Sequence, residues 1–186
     1  HPPPAIRDPL WSRGLGDVYK RQAKTLAASK DLRESDPEAY KAFLMAYFAG
    51  LRKSEIANAT VEWIEDHAIH VQPDGQFDTK NSHERTVPLA PDVFADLQDL
   101  LPADGYILLG NQTERTELVF RRLNKWLRGI GWTHSTKVVH ELRKVYGSTV
   151  SRIAGIHAAQ HLLGHMDYST TDRYYADPGA DVVVNQ

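Results

Sequence analysis

In the stretch GLRKSE, Arg52 and Glu55 lie three residues apart, and in HELRK so do His140 and Arg143. On a helix this spacing puts each pair on one face, so Glu55 can brace Arg52 and the His140 imidazole can project beside the Arg143 guanidinium. A guanidinium donates a planar two-pronged fork and an imidazole adds one more hydrogen bond, a combination that suits a phosphate. The bland alternative for Arg52 is a solvent-facing cation. HELRK also begins like the zinc motif H-E-x-x-H, but Lys144 stands where the second histidine belongs, which removes that reading.

Further along, HLLGHMDYSTTDRYYA crowds Tyr168, Tyr174 and Tyr175 against His161 and His165. A buried tyrosine mostly contributes packing and a satisfied hydroxyl. A phenol with its usual pKa of about 10 becomes a nucleophile only where cations stabilise the phenolate. Two arginines, two histidines and Lys80 of DTKNSHERTVPL would be such surroundings. Lys80 falls in a loop between strands, where a lysine is usually solvated, yet a hairpin tip can carry an ammonium into a site. His157, His161 and His165, at i, i+4 and i+8, raise a metal site as a rival. Gly164 weakens it by ending the helix before His165, and no carboxylate joins the three.

Mostly helical elements must position these groups. DPEAYKAFLMAYFAGLRKSEIANA predicts one helix, a break at Gly50 and a second short helix. VEWIEDHAIHVQP predicts two short strands turning at Asp66–His67, and RTVPLA a third strand. PDVFADLQDLL reads as an amphipathic helix, and TERTELVFRRLNKWLRGIG as a strong one capped by Thr113 and ended by glycines. STKVVHELRKVYGSTVSRIAG and IHAAQHLLGH give two more. STTDRYYA gives a last short helix capped by Ser169 or Thr170. The expected fold class is mainly α with a small three-stranded antiparallel sheet.

The chain has 186 residues, enough for one domain with a real core. It has no cysteines, so disulfides, thiolate chemistry and cysteine zinc sites are excluded and a cytoplasmic location is the default. No apolar run approaches a membrane span. The formal charge of -2 argues mildly against a nucleic-acid partner. From Glu114 to Arg152, however, nine Lys/Arg face three Glu, and Arg121, Arg122, Lys125 and Lys144 in that stretch are the candidate DNA-facing cations. The opening HPPPAIRDPLWSRGLGDVYKRQ shows no helical or strand period. DVYKRQ is what a transposon-end sequencing adapter would encode, so residues 1–22 are expected to be a non-native or disordered leader making few tertiary contacts.

Taken in order, GLRKSE, TKNSHERTVPL, HELR, LLGH and STTDRYY resemble the catalytic domain of the tyrosine recombinases, the phage-integrase family. Each box is weak alone; five in order, over about residues 35–176, are specific. The resemblance implies an integrase-type catalytic core of DNA breaking-rejoining enzymes over residues 23–186, with the family's N-terminal core-binding domain absent. It implies that Arg52 and Arg143 hold the scissile phosphate, supported by Glu55. Lys80 would protonate the leaving 5′-oxygen, and His140 and His165 would bond the phosphate or relay protons. Tyr174, nine positions after His165, falls where the family's nucleophile lies. The activity implied is site-specific cleavage and rejoining of double-stranded DNA through a 3′-phosphotyrosyl intermediate, by a homo-oligomer (a tetramer) on DNA, with no metal, cofactor or membrane. A type IB topoisomerase-like activity, a DNA-binding remnant of a decayed mobile element and a histidine metalloprotein are the alternatives.

Overall fold

The computed structural model describes residues 10–72, 84–133 and 137–164, and side-chain statements below begin at residue 20. The helices are α1 (Leu10–Ser35), α2 (Pro37–Phe48), α3 (Lys53–Asn58), α4 (Pro91–Gln98), α5 (Val119–Gly129), α6 (Val138–Ala154) and α7 (Ile156–Leu163). Three strands, β1 (Ile64–Glu65), β2 (Ala68–Val71) and β3 (Arg85–Pro88), form one antiparallel sheet in the order β1-β2-β3.

Helix α2 is the axis of the core. Asp36 caps it by accepting from the Ala39 amide at 3.1 Å, and Pro37 supplies a pre-set φ in its first turn. Every residue from Ala39 to Tyr47 is buried. Helices α1, α4, α5 and α6 all pack on it, which explains a helix apolar on all faces. Phe43 lies at the centre of an aromatic cluster with Tyr40, Tyr47, Phe48 and Trp126.

The strands meet where the sequence places them. Asp66 and His67 both take positive φ, 48° and 58°, as a two-residue hairpin turn requires. Ile69 pairs with Val87 and Val71 with Arg85, so the inward face of β3 carries Arg85 and Val87, while Thr86 and Pro88 are exposed.

Two local expectations need correction. The first is the missing period of the opening segment: helix runs through it from Leu10. The Arg21 guanidinium lies 5.8 Å over the Trp132 ring, and Trp132 Nε1 donates to Thr25 Oγ1 at 2.9 Å, so the part of α1 beyond residue 20 is anchored to the turn after α5. The second is the cap before α5. Thr113 makes no capping bond. Instead Asn111 Oδ1 accepts from the Glu114 amide at 3.1 Å, and Glu114 Oε2 accepts from the Asn111 amide at 2.7 Å, a reciprocal box whose cap lies before Thr113. The extra length runs into α5 through a π-helical turn, Glu114–Leu118.

Candidate functional site

Gly50 ends the approach from α2 with φ +61°, and a Cβ there would lie 2.3 Å from the Tyr146 ring. Only glycine allows α2 and α6 to meet at this point. The tight junction leaves the Gly50 carbonyl facing α6, where Arg143 donates to it through Nη1. The other arm of Arg143 donates to the Leu163 carbonyl at 2.6 Å. Arg143 is thus buried and held in place by peptide oxygens from two helix ends.

Arg52 is fixed differently. It precedes α3, and Glu55 reaches back one turn to accept from its backbone amide at 2.7 Å and from its Nη1 at 2.9 Å. Arg52 Nη2 donates to the Gly164 carbonyl at 3.0 Å. Glu55 is fully buried and would be costly as a lone carboxylate. Arg85 answers that cost with two bonds, 3.0 and 2.7 Å, and its Nε donates to the Leu162 carbonyl at 2.8 Å. Burial pushes the Glu55 pKa up, but the bonds and charge of Arg85, then those of Arg52, outweigh it and hold the carboxyl at about 2.

A pattern joins these contacts. The last carbonyls of a helix lack intrahelical partners and carry the negative end of its dipole. At the end of α7, the carbonyls of Leu162, Leu163 and Gly164 each accept from a different guanidinium: Arg85, Arg143 and Arg52. Gly164 makes the stop with φ 63° and ψ 47°, as its position in LLGH suggests.

Arg52, His140 and Arg143 line one cavity of about 380 Å³, together with Lys53, Lys137 and Asn124 and a floor including Leu51, Phe120 and Val139. Lys53 Nζ lies 5.2 Å from the Phe120 ring centre. His140 is on the exposed rim. Partial desolvation, then Lys144 and Arg143, pull its pKa below the ordinary histidine value. That shift favours the neutral imidazole, the form that can accept a hydrogen bond or a proton. Chemically, the cavity is a cationic cup with an apolar floor, fitted to an anion carrying organic substituents.

The other sequence candidates fall into two groups. Lys80, His165 and Tyr174 lie outside the described residues, as do Tyr168 and Tyr175 and the last short helix. Of the candidate DNA-facing cations, Arg121 and Lys125 are exposed on α5. Arg122 donates to Asp36 at 2.6 Å, and Lys144 to Glu141 at 3.1 Å. Sequence reasoning missed Arg85 and the cavity residues Lys53, Asn124 and Lys137. For Arg85 a signal existed: in RTVPL it alternates in phase with Val87 and Leu89, so period two already pointed it inward. Among the described residues no group of three or more His, Asp or Glu is placed to hold a metal ion, and no helix is long and apolar enough to cross a membrane.

The sequence profile described as the Phage integrase family matches residues 17–179. Tyrosine recombinase XerA of Thermococcus kodakarensis is 31% identical over 140 residues, covering 70% of this chain and 48% of that protein. The chain therefore spans about half the length of this relative. A crystal structure of XerA recombinase superposes with a TM-score of 0.66 at 21% identity, covering 86% of this chain and 59% of the other. A λ integrase dimer bound to a COC′ core site gives 0.64 at 19%, covering 88% and 61%. Both have the same mostly helical fold with a small antiparallel sheet.

Proposed function

The chain belongs to the phage integrase family, and from that premise we propose that it cuts and rejoins DNA strands through Tyr174. The observation that carries the reading is the meeting of Arg52, His140 and Arg143 at one cavity, the three described members of the predicted catalytic set. The scissile phosphate would sit there, its non-bridging oxygens facing the two guanidinium groups. The Tyr174 oxygen would attack phosphorus, forming the Oη–P bond as the bond from phosphorus to the 5′-oxygen breaks. The phenolic proton passes to a neighbouring base, for which His140 and His165 are the candidates. Lys80 gives a proton to the departing 5′-oxygen. The product is a 3′-phosphotyrosine and a free 5′-hydroxyl, and attack by another strand's 5′-hydroxyl reverses the step without net loss of bond energy.

Duplex DNA as partner is supported by the cationic cavity and by the λ integrase neighbour, solved on its core site. Assembly of several copies on DNA belongs to the same proposal. The test is adduct formation on a pool of nicked duplexes with randomised core sequence. The unsubstituted chain and Tyr175→Phe should form a denaturation-resistant protein–DNA adduct, and Tyr174→Phe should not. An adduct persisting in Tyr174→Phe would overturn the assignment.

A further inference from the structure

A phosphate in the cavity would touch Arg52 and Arg143, which leaves one buried cation of the cluster without a task. Arg85 does not line the cavity. Its side chain is 1% exposed and that of Glu55 0%, so neither has water to share. A simple buried ion pair needs one cation per carboxylate. Glu55 has two, and they hold it unequally. Arg85 takes both carboxylate oxygens, while the Arg52 guanidinium reaches Oε1 alone, through Nη1. The backbone amide of Arg52 occupies Oε2 as well.

A guanidinium beside a buried carboxylate prefers a two-pronged grip, because two charge-assisted bonds in a low-dielectric setting outweigh one. Arg52 would adopt that grip on Glu55 if both oxygens were open. We infer that Arg85 is a positioning residue of the phosphate site: by gripping both oxygens of Glu55, it restricts Arg52 to a single side-chain bond with that carboxylate and leaves the N–H groups not engaged by Glu55 or the Gly164 carbonyl for the cavity that Arg52 lines. Arg52 is accordingly 27% exposed on its side chain while its partner carboxylate is fully enclosed. The Arg85 bond to the Leu162 carbonyl ties the same device to the end of α7, whose Gly164 carbonyl holds the other arm of Arg52. The inference rests on the strand-cleavage reading and adds to it a residue that touches neither DNA nor the reacting atoms.

The test compares two substrates, using the core sequence captured from the randomised pool by the unsubstituted chain. One carries the normal scissile phosphate. The other carries a methylphosphonate there, in which a methyl group replaces one charged oxygen, so there is less charge for Arg52 to balance. Arg85→Met should slow adduct formation on the phosphate by on the order of 10²-fold, the cost of losing one well-aimed donor. On the methylphosphonate it should stay within about threefold of the unsubstituted chain, since the missing interaction is not called upon. Arg85→Met leaves Glu55 half-paired, so the double variant Arg85→Met/Glu55→Gln, which buries no unpaired carboxylate, carries the same comparison should the single variant not fold. Equal slowing on both substrates, or none on either, would overturn the positioning role. Absence of any adduct from the unsubstituted chain would overturn the cleavage reading beneath it.

Discussion

Two regions of this molecule bury cations, and they balance them in opposite ways. On α2, Lys41 is 2% exposed on its side chain and gives its ammonium to Glu38 at 2.8 Å and to the Ile107 carbonyl at 2.6 Å. One cation meets one carboxylate, and the pair is closed. Around the end of α7, two arginines, Arg52 and Arg85, share the carboxylate of Glu55, and the carbonyls of Leu162, Leu163 and Gly164 orient these two and Arg143. Carbonyl dipoles orient guanidinium groups without cancelling their charge, so the two guanidinium groups on the one carboxylate of Glu55 keep a positive excess beside the cavity. The comparison separates a cation that holds a fold from cations held for something else: charge is neutralised at the first and conserved at the second.

Breaking the arginine cluster should have the largest effect. Glu55→Gln leaves Arg85 buried beside a neutral amide, and we expect a stability loss of about 3–5 kcal/mol, as for other broken buried pairs. Denaturant titration checks it. The acid limb carries the same signature. A carboxyl held at about 2 contributes stability that is fully present above the ordinary glutamate pKa of about 4.3 and is lost as pH falls through about 2. Stability of the unsubstituted chain should therefore drop across that window, and Glu55→Gln should flatten the drop.

The Lys41 pair sharpens the contrast from the other side. Lys41→Met removes the ammonium and leaves the Ile107 carbonyl unmatched, while Glu38, 21% exposed, remains near water. A loss of about 1–2 kcal/mol follows from the unpaired carbonyl, with the adduct rate per folded molecule unchanged. A rate falling along with stability would erase the distinction between the two regions.

How much of this was legible in the sequence depends on whether the decisive contact is local. The Asp66–His67 hairpin, α2 with its Asp-Pro start and the stop at Gly164 are set within a few residues, and all were readable. Arg52 with Glu55 and His140 with Arg143 were readable for the same reason. The inward phase of Arg85 was readable from RTVPL, but its partner was not, because Glu55 lies thirty residues away in sequence. The Asn111–Glu114 box was visible as NQTE, but Thr113 stood nearer the apolar run and drew the assignment. The helix from Leu10 contradicts local propensity, since Gly14 and Gly16 lie within it.

The smallest effect concerns that first helix. If residues 1–22 are foreign to the domain, their deletion removes, from the described side-chain interactions of the segment beyond residue 20, the Arg21 contact over Trp132 and the Thr25 hydroxyl's bond to the Arg21 carbonyl, which water can replace. Such a surface cation–π contact is worth about 0.5–1 kcal/mol. The thermal midpoint should then fall by no more than about 2–4 °C for a domain of this size; a fall several times larger would make the segment an integral part of the fold.

The account's central claim is that the positive excess around α7 serves a phosphate attacked by Tyr174, and peptide mapping of the trapped adduct tests it most directly. Trypsin cuts after Arg173, so the C-terminal peptide begins YYADPG. After nuclease digestion, fragmentation should place a nucleotide 3′-phosphate on the first residue of that peptide, Tyr174. A nucleotide on Tyr175, on Tyr168 or on no tyrosine would contradict the account.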